Sequence, residues 1–263
     1  MAGFPSPYRS TQQRIMNQNT TQAPRETGRF DFCPTLAEVM VTRRFKGRTG
    51  KSFDGMGALS SINNLIVLRN LCLDLKPRQT LEIGLSFGGS CLVFTASHRD
   101  LGHAPEPQHV ALDPFQATVW DDSGLLVAER AGLLPYLDFR PQFSSLELPK
   151  LIGEGRKFDL VYIDGSHLFE DVFVDFFFVS QLLDHGGVMA FDDSSDPHVA
   201  KVLGFIRRNC SGSFRELELE PYRADFGRNL KYQIAKLIGK KQLTAFRKIG
   251  AAVREWNSPF ADF

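Results

Sequence analysis

The feature that most constrains the fold is an alternation of short apolar runs with longer helical stretches from residue 80 onward. Apolar runs of this length suit strands that are buried on both faces of a sheet. Strands that alternate with helices are typical of a parallel sheet covered by helices on both faces. We therefore predict a doubly wound α/β fold. The predicted strands are Thr80–Ile83, Val110–Leu112, Leu137–Arg140, Phe158–Ile163 and Val188–Phe191, and the predicted helices between and after them are Ser90–His98, Trp120–Ala131, Leu146–Leu151, Leu168–Leu183 and Val199–Asn209.

The chain divides into three parts by composition and pattern. Residues 1–28 are rich in Gln, Asn, Thr, Ser and Pro without a hydrophobic period, so we predict a flexible N-terminal arm. Residues 29–78 form a helical lead-in, in which the basic, Gly-rich stretch Arg43–Gly57 is predicted to be a loop. Residues 79–263 form the main domain, with a final strand predicted near Leu243–Phe246.

Composition excludes several classes of protein. No stretch approaches the roughly 18 uncharged apolar residues of a membrane-spanning helix, and the N-terminus has no secretory signal pattern. The four cysteines lie far apart and form no Cys-x-x-Cys pair, which argues against a zinc ribbon or a disulfide framework and fits a reducing compartment. The middle of the chain is acidic, which argues against a nucleic-acid-binding core. We expect a cytoplasmic protein with neither a membrane nor a nucleic-acid partner.

A glycine-rich turn follows the first predicted strand, in the segment Leu81–Ser90. It lacks the Gly-Lys-Ser/Thr of a Walker A loop and the spacing of a dinucleotide fingerprint. It contains a Gly-x-Ser-x-Gly pattern centred on Ser86, the nucleophile elbow of α/β-hydrolases. An elbow normally follows several strands, whereas this one follows the first, which argues against an elbow here. A serine hydrolase is kept as the alternative.

The same turn resembles motif I of class I S-adenosylmethionine-dependent methyltransferases, through its Glu-x-Gly-x-x-x-Gly pattern. The resemblance implies a Rossmann-like, mostly parallel seven-stranded sheet with helices on both faces. It implies that the glycines make room for the amino-acid end of S-adenosylmethionine. The acid either organises the turn or accepts a hydrogen bond from the cofactor's ammonium. The cofactor-binding residues expected here are Glu82, Gly84, Ser86, Gly88 and Ser90.

Further cofactor contacts are expected after the next two strands. Asp113 ends the second strand, where a carboxylate can accept both ribose hydroxyls of an adenosine-containing ligand. Phe115 follows it and can cover the adenine, although Asp113 can also be a helix cap. In the same methyltransferases a residue like Ser144 often supplies an adenine contact.

Two further strands end in acid, Phe158–Ile163 before Asp164 and Val188–Phe191 before Asp192 and Asp193. Neighbouring strands would bring these carboxylates to one edge, where they repel unless protons or a cation intervene. Hard oxygen ligands of this kind suit Mg²⁺, Ca²⁺ or Mn²⁺. Helix capping is the simpler interpretation of each acid alone. The three together predict a divalent-cation site, in which Asp164 also contacts the cofactor and takes part in catalysis.

His167 lies three residues after Asp164 at the start of a predicted helix. The helix N-terminus disfavours the imidazolium form, and nearby carboxylates favour it unless a metal neutralises them. A neutral imidazole at this place suits a general base. A structural histidine is the alternative.

The segment Ile163–His167, the Gly186-Gly187 turn and the Asp192-Asp193 pair resemble one branch of these methyltransferases. This branch is related to metal-dependent small-molecule O-methyltransferases, including ones that act on antibiotic sugars. The resemblance implies that three acids hold the cation and that His167 takes the proton of the acceptor hydroxyl. Catechol-type relatives have Asp-Asn in place of Asp192-Asp193, which argues against catechol.

The expected function is S-adenosylmethionine-dependent O-methylation of a small molecule, assisted by a divalent cation, with Mg²⁺ the first expectation. Besides the hydrolase, a non-methylating member of the same fold stays an alternative. A homodimer remains open. Gly47–Gly57 and Pro221–Arg228 are the expected substrate lid.

Overall fold

The computed structural model describes residues 27–55, 58–223, 242–252 and 254–263. Most of the predicted N-terminal arm therefore lies outside the described residues, as does the part of the second predicted lid segment beyond residue 223. No helix of the described part is long and apolar enough to cross a membrane.

A seven-stranded sheet forms the centre of the molecule, and a two-stranded hairpin precedes it. The hairpin strands are β1 (Arg44–Lys46) and β2 (Ser52–Asp54), and the sheet strands are β3 (Thr80–Ile83), β4 (His109–Leu112), β5 (Leu137–Arg140), β6 (Phe158–Ile163), β7 (Leu183–Phe191), β8 (Phe214–Leu217) and β9 (Thr244–Lys248). The order across the sheet is β5-β4-β3-β6-β7-β9-β8. Neighbours from β5 to β7 are parallel, whereas β9 is antiparallel to both β7 and β8. The predicted Rossmann-like, mostly parallel seven-stranded sheet is confirmed.

Helices cover both faces of the sheet, as predicted. They are α1 (Pro34–Thr42), α2 (Ile62–Leu75), α3 (Gly89–Asp100), α4 (Ser123–Arg130), α5 (Ser144–Gly153), α6 (Phe169–Leu182) and α7 (Pro197–Asn209). One apolar core joins α1 to α4 with one face of the sheet, and a second joins α5 to α7 with the other. Side chains alternate between the two cores along each strand, so Leu81 and Ile83 face the second core while Glu82 faces α3.

Local sequence sets several boundaries. The Ser61 side chain accepts a hydrogen bond from the amide of Asn64 and so caps α2. Asp196 caps α7 in the same way, and Pro197 occupies its first turn. Strand β7 begins at Leu183, five residues before the predicted start, because the chain passes from α6 into the strand without a loop.

The prediction of a loop over Arg43–Gly57 is wrong for the part that forms the β1–β2 hairpin. Its strands are three residues each and mostly polar, so they carry no clear hydrophobic period. Phe45 is the buried residue of β1, and its ring stacks on Phe87 of the glycine turn with the centroids 4.4 Å apart. Arg48 forms an ion pair with Asp122, and the Thr49 hydroxyl donates to Asp121 at 2.7 Å. The hairpin is thus packed directly on the glycine turn.

Asp175 on α6 generates a prediction about stability. Asp175 is 2% exposed, its Oδ1 has no hydrogen-bond partner among the described residues, and burial raises the pKa of this carboxyl to about 7. Between about pH 4 and pH 7 the folded state keeps a proton that the unfolded chain has released, so stability falls as pH rises. The loss is up to about 4 kcal/mol, since one pKa unit is worth about 1.4 kcal/mol.

We expect Asp175→Asn to flatten this slope, measured as the free energy of urea unfolding at about pH 4.5 and pH 8. Asp171→Asn, an exposed carboxylate on the same helix, is the control that retains most of the slope. Equal slopes in the wild type and Asp175→Asn would show that Asp175 is ionised in the folded protein throughout this range.

Candidate active site at the carboxyl edge of the sheet

The strands that carry the site end at one level. Ile83 pairs with Leu112 on one side and with Ile163 on the other, and Ile163 pairs with Phe191. The residues that follow these four strands therefore lie along one edge of the sheet. They are Gly84, Asp113, Asp164 and Asp192, and the predicted convergence of Asp164 with the Asp192-Asp193 pair is found.

Glycine is required at two positions of the turn after β3. Gly84 and Gly88 have φ angles of +95° and +80°, a region that favours glycine. A Cβ at Gly84 would overlap the carbonyl group of Asp164, and one at Gly88 would lie 2.9 Å from the carbonyl oxygen of Gly124. The glycines thus let the turn approach the neighbouring backbone, in addition to the room for a ligand that the sequence predicted.

Ser86 has a left-handed backbone, with φ +46°, and its hydroxyl donates to the carbonyl oxygen of Ala58 at 2.9 Å. In the described part of the chain no histidine bonds to this hydroxyl, so it lacks the base that a serine nucleophile needs. The hydrolase alternative is not favoured.

Asp113 holds the glycine turn in place. Its carboxylate accepts hydrogen bonds from the amide of Ser86 at 2.8 Å, the amide of Phe115 at 2.7 Å and the side chain of Gln116 at 3.0 Å. The side chain is buried, so these bonds are shielded from water. A carboxylate with acceptor capacity left beside the turn remains suited to the predicted ribose contact.

Two aromatic rings flank this edge. Phe115 and Phe143 meet edge to face with their centroids 5.7 Å apart, and Phe143 is about half exposed. Phe143 precedes Ser144, the first residue of α5. An exposed ring beside Phe115 is suited to stack on a planar base, so Phe143 is a further candidate, and the adenine contacts of Phe115 and Ser144 stay predictions. The sequence signal for Phe143 was its position in the turn between β5 and α5.

Glu82 and Ser90 lie beneath the turn. Glu82 is fully buried and accepts a 2.6 Å hydrogen bond from the Ser90 hydroxyl. This geometry fits the first of the two roles considered for the acid, which is to organise the turn. Direct contact of either residue with a cofactor stays a prediction.

A buried polar network surrounds two of the predicted acids. Asp164 accepts from the Ser60 hydroxyl at 2.9 Å, and Asp192 accepts from the Asn64 side chain at 2.6 Å. The Tyr162 hydroxyl donates to Asp192 and lies 3.1 Å from Ser60. Burial and the charge of Asp192 raise the pKa of Asp164 well above its usual value. The sequence missed Ser60, Asn64 and Tyr162, because partners separated by about a hundred residues leave no local pattern.

Asp164, His167 and Asp193 form the cluster that could hold a cation. One ligand atom from each lies within 4.8 Å of the others. The Nε2 atom of His167 is 3.2 Å from an Asp193 carboxylate oxygen, and both side chains are about half exposed. Asp192 is directed instead to Tyr162 and Asn64. The sequence predicted three carboxylate ligands; the role of Asp192 stays a prediction, and the structure adds the imidazole to the donor set.

The matched family and the solved structures agree with this geometry. Residues 81–194 match a family model described as a methyltransferase domain. No curated protein matches the chain significantly. An O-methyltransferase of Bacillus cereus in complex with S-adenosylhomocysteine is 19% identical, with a TM-score of 0.55 over 81% of this chain and 90% of that one. A TDP-rhamnose 3′-O-methyltransferase of calicheamicin biosynthesis is 16% identical, with a TM-score of 0.51 over 71% and 79% of the two chains.

These likenesses show the fold, and the matched domain covers the glycine turn, Asp113, His167 and all three predicted acids. The match of residues 81–194 to a methyltransferase domain agrees with the methyltransferase that the sequence predicts. The resemblance of the segment around His167 to one branch of these enzymes stays a prediction.

Asp113→Asn should weaken binding of S-adenosylhomocysteine about tenfold or more. The amide would turn an N–H group toward donors that now meet a carboxylate oxygen, and an unsatisfied buried donor costs about 1–3 kcal/mol. Isothermal titration calorimetry measures the affinity, with Glu129→Gln, an exposed acid on α4, as the control. Unchanged affinity in Asp113→Asn would remove this residue from the cofactor site.

Proposed function

Because residues 81–194 match a methyltransferase domain, we propose that the chain transfers the methyl group of S-adenosylmethionine to a hydroxyl oxygen of a small molecule. The observation that carries the proposal is the His167–Asp193 pair beside Asp164, on the same sheet edge as the glycine turn. Cofactor and proton acceptor are then neighbours at one edge, which is what a direct transfer needs.

The cofactor half of the proposal rests on the turn and its surroundings. Asp113 fixes the backbone of the glycine turn at the carboxyl edge of the sheet. The rings of Phe115 and Phe143 lie at the same edge. The complex of the Bacillus cereus protein with S-adenosylhomocysteine supports a cofactor of this class.

The acceptor half rests on His167. With the Nε2 proton directed to Asp193, the lone pair of the imidazole is on Nδ1, where it can accept the proton of a hydroxyl. The acceptor oxygen attacks the methyl carbon as the carbon–sulfur bond breaks, and its proton passes to His167. The Asp193 carboxylate then stabilises the imidazolium that forms. The cofactor leaves as S-adenosylhomocysteine.

A divalent cation fits the donor set. Carboxylate oxygens of Asp164 and Asp193 are hard ligands that lie close enough to share one ion, and a cation there would offset the repulsion between the carboxylates. A cation bound there would lower the pKa of the acceptor hydroxyl. Asp164, which accepts a hydrogen bond from Ser60, would bind the cation on one side. Asp193 would bind the cation and also orient His167.

Sugar hydroxyls are the first acceptor class to test. The pair Asp192-Asp193 differs from the Asp-Asn of catechol-type enzymes, and one structural neighbour is named as a TDP-rhamnose methyltransferase. Nucleotide-linked deoxysugars and catechols are each offered as acceptors, and methyl transfer from labelled S-adenosylmethionine is measured. Transfer to the sugars and not to the catechols supports the sugar class.

His167→Ala should lower the turnover rate by about 10²–10⁴-fold while the affinity for S-adenosylhomocysteine stays unchanged. His167→Gln should be equally slow, because an amide cannot take the proton. The neighbouring exposed His198→Gln on α7 is the matched control. Near-normal turnover in His167→Ala, with an unchanged pH profile, would remove His167 as the base.

Mg²⁺ or Ca²⁺ should bind the complex with S-adenosylhomocysteine, as measured by calorimetry, and Asp193→Asn should weaken this binding about tenfold or more. Asp171→Asn is the control. Asp192→Asn tests whether the third predicted acid is a ligand. If no cation binds the wild-type complex, the cation is excluded and methyl transfer by His167 and alignment alone remains.

A further inference from the structure

A second cluster of metal-ligand side chains lies beneath the glycine turn, outside the edge site. Glu82, Cys91 and His109 are each fully buried, and one ligand atom from each lies within 4.8 Å of the others. Glu82 and His109 project from the adjacent strands β3 and β4, and Cys91 projects from the first turn of α3. Three separate elements thus present a carboxylate, a thiol and an imidazole to one point.

The atoms that face one another are close but poorly aligned. Oε1 of Glu82 and Nε2 of His109 lie 3.1 Å apart as an ion pair, yet among the described residues neither atom has a hydrogen bond of good geometry. Buried polar atoms nearly always make well-aligned hydrogen bonds, so a pair that is close without being aligned fits two ligands that face a shared ion. A separation near 3 Å is close to that of two ligands on one small cation, given bonds of about 2.0–2.2 Å.

The outward atoms of the same side chains are firmly held. The Ser90 hydroxyl bonds to Oε2 of Glu82 at 2.6 Å, and the Thr80 hydroxyl lies 2.9 Å from Nδ1 of His109. The ring of Phe94 stacks on His109 with the centroids 4.8 Å apart. Ligands of metal sites are oriented in this way, with the remote nitrogen or oxygen hydrogen-bonded and the near one left for the ion.

Charge balance points the same way. Glu82 forms an ion pair with His109 and, among the described residues, with no Lys or Arg. The Cys91 thiol lies in the same buried cluster. A divalent cation would neutralise one carboxylate and one thiolate beside a neutral imidazole, leaving no net charge in the core.

We propose that Glu82, Cys91 and His109 bind one divalent cation of the borderline-soft class, of which Zn²⁺ is the first example. Sulfur, nitrogen and oxygen ligands together select such an ion over Mg²⁺ or Ca²⁺. The Cys91 sulfur forms a bond to the ion as its proton leaves to solvent, one proton per ion. The bound ion would tie the end of β3 to β4 and to the start of α3, and so brace the glycine turn from below.

Co²⁺ is the probe, because a thiolate bound to cobalt gives a charge-transfer absorption that oxygen ligands do not. The full chain is expressed or refolded with Co²⁺, since the buried site fills as the protein folds. We expect one equivalent of tightly held Co²⁺ with this absorption, loss of the absorption in Cys91→Ala and in His109→Gln, and its retention in Cys72→Ala, a buried cysteine on α2.

Asp193→Asn tells the two sites apart, because it changes a residue of the edge cluster and leaves the buried cluster unaltered. This variant should keep the cobalt–thiolate absorption. Removal of the ion by a chelator should also lower the melting temperature of the wild type but not that of Cys91→Ala. A folded wild-type protein without the cobalt–thiolate absorption overturns the proposal, whatever the variants do. Retention of the absorption in a folded Cys91→Ala variant overturns it equally.

Discussion

Four parallel strands that end at one level determine where the acids Asp113, Asp164 and Asp192 of the edge site lie. Ile83, Leu112, Ile163 and Phe191 are in register, so the residue after each strand emerges beside its neighbours. A slip of one residue would exchange the side chains of a strand between the two faces and so disrupt the packing of both apolar cores. Packing inside the sheet therefore fixes the positions at its rim.

The lead-in before the sheet is joined to the edge by polar contacts. Ser60 bonds to Asp164, Asn64 bonds to Asp192, and the carbonyl of Ala58 accepts from Ser86. Buried carboxylates are costly unless they are hydrogen-bonded, and here two of their donors come from a segment that precedes the first sheet strand. Folding of the lead-in and arrangement of the acids are therefore coupled.

Local pattern was enough to predict the central elements from the sequence. β3, β5 and β6 have the predicted bounds, and β6 is nearly all apolar, as expected of a strand that is covered by helices on both faces. The hairpin was missed because β1 and β2 are short and polar. At the edge, the convergence of Asp164, Asp192 and Asp193 was predicted because neighbouring parallel strands end at the same edge.

The directions of the side chains did not follow from the sequence. Asp192 and Asp193 are adjacent in the chain, yet one faces the buried Tyr162 and the other faces the exposed His167. That division depends on a positive φ of +44° at Asp193 and on partners distant in sequence, neither of which leaves a periodic signal. The close approach of Glu82 to His109 is likewise visible only when neighbouring strands are brought together.

The contact between Phe45 and Phe87 has a mechanical consequence. Phe87 belongs to the glycine turn, and the hairpin that carries Phe45 is fastened at its tip to Asp121 and Asp122. A displacement of the turn must therefore carry the hairpin with it or break the ring stack. Since the Arg48–Asp122 pair at the tip is exposed and screened by salt, ionic strength becomes a means of loosening the turn from a distance.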